Sequence, residues 1–303
     1  MRYQFMDNHA EQFLITMMCR VLQVSHSGYY AWRGRVPGQR AVENELLDAA
    51  VRAMFKDSGE TYGSPRICRE LRLQGKACGV NRVARLMQAA GLKARHPRRF
   101  KVTTDSEHDL PITANILNRQ FEVAAPNLVW VSDITYVPTV QGWLYLTTVM
   151  DLFSRRIIGW ALSHSLHAEH VVKALEMGLN SRSGEDLSGL LFHSDRGSQY
   201  ASEEFREVLS KHDITQSMSR RANCWDNAPA ESFFSTLKVE RIYQHHYLTK
   251  EQARVDIFHY IEGFYNRKRS HSKLGYMSPL EYERQHRLQK EQNNQQQQLR
   301  NAA

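Results

Sequence analysis

The chain has 303 residues, of which 42% are hydrophobic, so it can bury a sizeable core and form about two domains. Its formal net charge of +8 favours a polyanionic partner, which can be nucleic acid or acidic lipid. No apolar run reaches the roughly 18 residues of a membrane span. The N-terminus shows no secretory signal, so we expect a soluble cytoplasmic protein with no membrane partner.

The cysteines give no sign of a metal or disulfide framework. They lie at four isolated positions, Cys19, Cys68, Cys78 and Cys224, without C-x-x-C spacing. We expect reduced thiols. A zinc site assembled in space from Cys224 and some of the 14 histidines is left open as an alternative.

The first hundred residues are predicted to be helical. Residues 1–40 contain two short apolar patterns at helical spacing, which suit a helix-turn-helix, and a helical hairpin that only packs is an equal alternative. Residues 41–101 predict three more helices, with Ser64 as an N-cap before Pro65 for the second and Asn81 as an N-cap for the third. This segment is therefore a second helix-turn-helix candidate.

Positive charge is concentrated in this second segment. From residue 66 to residue 101 there are eleven basic residues and one acid, a local net charge of +10. Mixed charges usually indicate a solvated face, but a block of one sign on helices favours contact with phosphates. A membrane surface would need a broad apolar face, which these helices lack. Residues 41–101 are thus predicted to bind DNA through Arg66, Arg69, Arg72, Arg82, Arg85, Arg95, Arg98 and Arg99.

The remaining chain has the pattern of an α/β domain. Residues 102–125 are polar and without a period, which predicts a linker. Five strand-like runs follow, at 128–137, 143–150, 156–162, 190–193 and 214–218. The first three should form an antiparallel meander and helical patterns flank the last two, which predicts a mixed five-stranded sheet with helices on its faces. The Gln-rich end, 286–303, is expected to be disordered.

Three acids occupy positions that predict a common site. Asp133 lies within an apolar strand, where a carboxylate is costly unless it is paired or binds a metal. Asp195 ends another apolar strand, at an edge where sites of open sheets lie. Glu231 shares one face of a helix with Lys238, while a neighbouring apolar face should enter the core through Ala230, Phe233, Phe234 and Leu237. Three carboxylates suit two Mg²⁺ ions that assist a displacement at phosphorus.

Each acid also has an ordinary structural explanation. Asp195 can belong to a turn with a local ion pair, and Glu231 can be a first-turn acid stabilised by the helix dipole. Asp226 competes with Glu231 as a ligand, although it fits better as the N-cap of that helix, for which Asn227 is the other candidate. Asp151 closes a strand and is expected to form an ion pair with Arg155 or Arg156.

Five motifs give the chain a resemblance to a known family over most of residues 10–285. They are WVSDITY at 130–136, DLFSRR at 151–156, HSDRGSQY at 193–200, NCWDNAPAES at 223–232, and Tyr265-Asn266 with Arg269, His271 and Pro279. There are 35 residues between Asp195 and Glu231, and a lysine follows seven positions later. In these features the chain resembles the integrase-type DDE transposases, and more closely the OrfB product of the IS-three family of bacterial insertion sequences.

The resemblance implies an RNase H-like catalytic domain at residues 126–285, preceded by the all-α helix-turn-helix region. It implies that Asp133, Asp195 and Glu231 are the metal-binding catalytic triad, with two Mg²⁺ or Mn²⁺ ions, and that Lys238 contacts the terminal DNA of the element. The implied reaction is nicking at element ends followed by attack of the freed 3′-hydroxyl on target DNA. A homo-oligomer on DNA is also implied, together with an OrfA partner or fusion; this chain itself has no sustained heptad run.

Two other functions agree with the same sequence. One is an RNase H-like nuclease that hydrolyses DNA without strand transfer. The other is a DNA-binding regulator in which the acids serve only the structure. Joined products from a pre-cut end, and metal-dependent cleavage, distinguish these alternatives from a transposase.

Overall fold

The computed structural model describes residues 1–36, 38–95, 110–221 and 223–301. The chain forms two compact units, one of Met1–Ser58 with Gly63–Lys93 and the other of Gly59–Tyr62 with Ala94–Ala303. Within the described ranges, no helix is long and apolar enough to cross a membrane.

The first unit is helical. Its helices are α1 Arg2–Asn8, α2 Ile15–Leu22, α3 His26–Arg33, α4 Gln39–Asp57, α5 Ser64–Leu73 and α6 Val80–Ala89. Helices α2 and α3 match the two predicted patterns, whereas α1 was not predicted, because its apolar residues show no helical period. Met6 of α1 is nevertheless fully buried beside Met18, Cys19 and Tyr29. The first three helices thus share one small core.

Helices α4, α5 and α6 form a second group of three. As predicted, α5 and α6 bury an apolar stripe, made of Ile67, Cys68, Leu71, Val83 and Met87. The predicted N-caps are wrong, since α5 begins at Ser64 after the N-cap Gly63 and α6 begins at Val80 after the N-cap Gly79. Glycine is itself an acceptable N-cap, so neither helix needs the side-chain acceptor that the sequence seemed to offer.

The second unit contains a five-stranded sheet. Its strands are β1 Val129–Thr139, β2 Gly142–Asp151, β3 Arg156–Ser163, β4 Leu191–Ser194 and β5 Thr215–Met218. They lie in the order β3-β2-β1-β4-β5. The first three are antiparallel neighbours, while β4 is parallel to β1 and to β5. The predicted meander and mixed sheet are confirmed.

Helices cover both faces of this sheet, namely α7 Ala168–Ser181, α8 Ser198–Ala201, α9 Glu203–Lys211, α10 Ala228–Glu240 and α11 Lys250–Phe258, and a last helix, α12, follows at Pro279–Asn301. Because side chains alternate along a strand, Trp130 faces the core built with α7 and α9, and Val131 faces the core built with α10 and α11. Helix α7 approaches β3 so closely that a Cβ on Gly159 would lie 2.1 Å from the carbonyl oxygen of Ala174.

Two segments differ from the sequence prediction. Part of the predicted linker lies outside the described residues, but the rest packs on the second unit: Leu117 is buried, and its N–H donates to Ser217 Oγ of β5 at 3.2 Å. The apolar residues of this segment recur at irregular intervals, so the sequence did not predict that the segment packs on the second unit. The end of the chain is helical as far as Asn301 rather than disordered, because Gln, Glu, Lys and Arg are good helix formers that let α12 extend into solvent.

Candidate active site

Asp133 lies where β1 runs past the end of β4. The ladder between these strands ends at the pair of Val131 and His193. Asp133 is half-buried, and its Oδ1 accepts a hydrogen bond from the N–H of Ile134 at 2.8 Å. The first acid is therefore held at the carboxyl end of the parallel strand pair.

Asp195 directly follows the last residue of β4 and lies in a turn that hydrogen bonds hold in place. The N–H of Gly197 donates to Asp195 Oδ1 at 2.9 Å. Arg196 Nε donates to the carbonyl oxygen of Ser219 at 2.7 Å, and the N–H of Ser219 donates to the carbonyl oxygen of Ser194 at 2.9 Å. The turn is thus tied to the chain after β5, which fixes the second acid.

Glu231 is carried by the first turn of α10, where Pro229 is tolerated. The four apolar residues predicted to face the core are all buried, namely Ala230, Phe233, Phe234 and Leu237. Glu231 and Lys238 are both half-buried on the neighbouring face. The predicted phase of this helix is therefore correct.

The three carboxylates influence one another electrostatically. Burial raises the pKa of Asp133 well above its usual range, and the Asp195 carboxylate raises it further. Glu231 acts in the same direction, whereas the Ile134 N–H and Lys238 lower this pKa. Burial, and then the charge of Asp195, raise the pKa of Glu231 to about 7. These effects place the three predicted acids and the lysine within electrostatic range of one another.

Asp226, the competing acid, has a different environment. Its fully buried carboxylate pairs with the guanidinium groups of Arg119 and Arg220, each 2.7 Å away, and also accepts a hydrogen bond from Asn115 at 2.9 Å. The hydrogen bond from Arg220 lowers the pKa of Asp226 although burial opposes the change. Asp226 is therefore neutralised by protein cations. The N-cap of α10 is Asn227, so the prediction that Asp226 caps this helix is wrong and the alternative Asn227 is confirmed.

Asp151 is also explained by an ion pair, but not by the predicted one. Its partner is Arg182, which lies 3.0 Å away at the end of α7. Arg156 instead lies 3.0 Å from Glu283 of α12, so the expected pairing of Asp151 with Arg155 or Arg156 is wrong. Burial raises the pKa of Asp151 to about 6, and Arg182 opposes that change. The error arose because Arg182 is distant in sequence and close only after folding.

The predicted DNA-binding arginines fall into groups with different surroundings. Arg69, Arg72 and Arg85 are exposed on α5 and α6. Arg66 is half-buried. Arg98 and Arg99 lie outside the described residues.

Two of these arginines have acidic partners. Arg82 donates to Asn44 Oδ1 at 2.8 Å and lies 3.7 Å from Glu43. Arg95 lies 2.8 Å from Glu60. The charge of both is therefore partly engaged within the protein, which the sequence count of basic residues did not reveal.

Sequence reasoning missed the residues that join the acid-bearing elements. Ser132 Oγ lies 2.8 Å from the hydroxyl of Tyr200, and the carbonyl oxygen of Ser132 accepts a hydrogen bond from Asn227 Nδ2 at 2.9 Å. Each of the three lies within a few positions of an acid. A polar side chain in an apolar strand, and a tyrosine that must bury its hydroxyl, were the signals available.

The acids suit a divalent metal ion by their chemistry. Across the described residues, no group of three or more His, Cys, Asp and Glu side chains is close enough to hold an ion. Three carboxylates are nevertheless hard oxygen ligands. Burial and then neighbouring carboxylates raise the pKa values of Asp133 and Glu231, and a bound cation would lower both. The donor set therefore fits such an ion in ligand type.

The cysteines do not change this picture. Cys19, Cys68 and Cys78 are free thiols, as predicted. The side chain of Cys224, on which the zinc alternative depended, lies outside the described residues. The zinc alternative therefore stays a prediction.

Family models agree with this architecture. Residues 123–224 and 231–288 each match an integrase core domain, and residues 41–100 match an HTH-like domain. With the acids on β1, after β4 and on α10, the fold is that of an integrase-type, RNase H-like core. The protein is thus a DDE polynucleotidyl transferase, a class that depends on divalent metal ions.

Close relatives define the family. The transposase InsF of insertion sequence IS3A from Escherichia coli K12 is 41% identical over 286 residues, which cover 93% of this chain and 98% of that protein. A 31 kDa protein of insertion element IS600 from Shigella sonnei is 42% identical over 89% of this chain and 99% of that protein. The chain belongs to the IS3 family of insertion-sequence transposases, and its function is DNA transposition by a DDE-type mechanism.

Proposed function

We propose that Asp133, Asp195 and Glu231 are the catalytic triad and hold two Mg²⁺ or Mn²⁺ ions. The observation that supports this most is the raised pKa of Asp133 and of Glu231, to which burial and the nearby charge of Asp195 both contribute, whereas the pKa of a fourth acid, Asp226, is lowered. When bound, the metal activates an attacking hydroxyl and neutralises charge on the leaving oxygen. The protein would supply carboxylates from β1, from the turn after β4 and from α10, which would hold the reacting groups in one orientation.

The proposed chemistry has two steps at phosphorus. Water first attacks the phosphodiester at the element end, and the bond to the bridging 3′-oxygen breaks to leave a free 3′-hydroxyl. That hydroxyl then loses its proton and attacks a target phosphodiester, forming a new phosphorus–oxygen bond as the target 3′-oxygen leaves and is protonated. Lys238, half-buried beside Asp133, would contact the terminal phosphates and hold the DNA end over the acids.

We also propose that residues 41–101 bind DNA. Arg69, Arg72 and Arg85 are the best supported contacts because they are exposed on short helices. Arg85 shares its face of α6 with Asn81 and Gln88, both exposed, and these residue types can read base edges. Arg82 is better explained as a structural residue, given its contacts with α4.

The division of the chain and its assembly are further parts of the proposal. We place the catalytic domain at residues 126–285 and the N-terminal helical element at residues 1–40. Joining two ends of one element needs two active sites, which supports a homo-oligomer on DNA. An OrfA partner or fusion remains the proposed source of a zipper, and the cytoplasm is the proposed location because the DNA substrate of such an element lies there.

Strand transfer from a pre-cut end tests the catalytic proposal. Purified protein, a duplex of the element end with a free 3′-hydroxyl and plasmid target should give joined products only with Mg²⁺ or Mn²⁺. Asp195→Asn should abolish joining, while Asp186→Asn, a change in an exposed turn acid, should leave it intact. Cleavage without joining would favour the nuclease, and unchanged activity of Asp195→Asn would exclude Asp195 from the site.

A further inference from the structure

Ser132 is the meeting point of the three acid-bearing elements. It is fully buried and directly precedes Asp133. Its side-chain oxygen lies 2.8 Å from the hydroxyl of Tyr200, which follows Asp195 by five positions. Its carbonyl oxygen accepts a hydrogen bond from Asn227, which precedes Glu231 by four positions. One residue beside the first acid is thus bonded from the segments that carry the second and the third.

The Tyr200 ring is held rigidly on its side of this contact. It is fully buried and makes ring contacts with Phe192 of β4 and Phe205 of α9. The carbonyl oxygen of Tyr200 also accepts a hydrogen bond from Gln216 of β5 at 2.7 Å. Burial and then the charges of Asp195 and Asp133 raise the pKa of Tyr200 well above its usual range, so its hydroxyl keeps its proton. The Tyr200 hydroxyl is therefore a protonated partner for Ser132 Oγ.

The side chain of Asn227 donates a hydrogen bond to β1 beyond the point where β4 stops pairing with it. The β1–β4 ladder stops at Val131, and the next carbonyl of β1, that of Ser132, receives the Asn227 amide instead. Asn227 is 3% exposed, and within the described residues its Oδ1 has no hydrogen-bond partner. The amide group thus has one specific bond, and that bond spans from the N-cap of α10 to β1.

We infer that Ser132, Tyr200 and Asn227 form a clamp that sets the spacing of the three carboxylates for a divalent cation. This inference rests on the proposed function of Asp133, Asp195 and Glu231. The clamp residues are positioning residues, because they act through the backbone and turn next to each acid. Outer contacts of this kind usually change metal affinity about 10- to 100-fold when removed.

Direct metal binding gives the decisive measurement. Mn²⁺ binding to DNA-free protein would be measured by electron paramagnetic resonance for the wild type, Tyr200→Phe, Asn227→Ala and Ser132→Ala. Each variant should weaken Mn²⁺ binding about tenfold or more. Raised Mn²⁺ should restore the joining rate of Tyr200→Phe, which keeps the ring and loses only the hydroxyl.

The matched control is Tyr265→Phe. Tyr265 is also buried, and its hydroxyl donates to the carbonyl oxygen of Arg155 at 3.1 Å, on a segment that carries none of the three acids. It should lose stability with unchanged Mn²⁺ affinity. If Tyr200→Phe behaves in the same way, the clamp is only structural and the inference is overturned.

The same titration separates this inference from the function on which it rests. Asp195→Asn should lose Mn²⁺ binding at all concentrations that saturate the wild type. If it binds Mn²⁺ like the wild type, the proposed metal site itself is wrong. If Asp195→Asn fails to bind while all three clamp variants bind normally, only the clamp is rejected.

Discussion

Asp226, in the turn before α10, and Glu231, in the first turn of α10, lie five positions apart and have opposite environments. Asp226 is fully buried, yet Arg119 and Arg220 hold its pKa below the usual range. Glu231 is less buried, yet burial and then the charge of Asp195 raise its pKa to about 7, with no cation among the described residues paired to it to oppose them. Burial alone therefore does not distinguish a structural acid from a candidate ligand. The sign of the neighbouring charge does, because unrelieved like charges are tolerated where a cation binds.

The largest expected effect is on strand transfer, when each of the two acids is replaced in turn by its amide. Glu231→Gln should lower strand transfer about a thousandfold, since a lost metal ligand removes several kcal/mol of transition-state stabilisation. Asp226→Asn should keep activity within about tenfold per folded molecule, because its contacts are with protein cations. Joining assays normalised to folded protein would measure both. Equal losses in the two variants would remove the distinction between the acids.

The free energy of unfolding should respond in the opposite way, with the larger loss in Asp226→Asn and not in Glu231→Gln. Asp226→Asn should lower the free energy of unfolding by about 2 kcal/mol, because two guanidinium groups lose their buried partner and both are partly solvated. Glu231→Gln should leave metal-free stability unchanged or higher, since it removes a repelled charge. Urea denaturation in the presence of a chelator would measure this. A destabilised Glu231→Gln with an unaffected Asp226→Asn would contradict the assignment.

A smaller, pH-dependent effect should follow from Glu231. Its folded pKa of about 7 lies above the ordinary value of 4.5, so the folded state binds the proton more tightly than the unfolded state. The resulting stability is present below about pH 4.5 and is lost as the pH rises through about 7. The Tm of metal-free wild type should therefore fall relative to Glu231→Gln between about pH 5 and pH 8. Added Mn²⁺ should reverse the fall, and parallel curves for the two proteins would contradict it.

The smallest expected effect is on DNA binding, and it concerns two arginines of α6. Arg85 is exposed, whereas Arg82 contacts Asn44 and lies near Glu43. Arg85→Ala should weaken DNA binding and reduce the slope of log affinity against log salt by about one. Arg82→Ala should mainly reduce stability and change that slope less. Fluorescence anisotropy at several salt concentrations would compare them, and identical slopes would show that pairing within the protein does not decide DNA contact.

Much of this arrangement follows from local sequence patterns. The alternation along Val129–Thr139 and the apolar spacing from Ala230 to Leu237 depend on neighbouring residues only, so the strand, the helix and its phase could be predicted. The spacing of Asp195 and Glu231 indicated the family to which the chain belongs. The grouping of the three acids followed from these elements and the resemblance together.

Contacts between distant residues could not be predicted in this way. Arg119 and Asp226 are 107 positions apart, and Arg182 and Asp151 are 31 apart. Neither pair leaves a periodic signal, since an arginine in a polar segment can serve solvent, DNA or a buried carboxylate. For the same reason, a count of basic residues predicted that Arg82 and Arg85 both contact DNA. In the structure Arg82 contacts Asn44 and lies near Glu43, whereas Arg85 is exposed.

The segment from Thr113 to Arg119 sets a practical limit on dissecting the protein. It donates to Gln216 and Ser217 of β5 and supplies one guanidinium group to Asp226. An expression fragment cut at residue 123, where the match to the integrase core begins, would lose these contacts and expose the edge strand β5. A fragment intended for crystallisation or metal titration should therefore start ahead of Thr113.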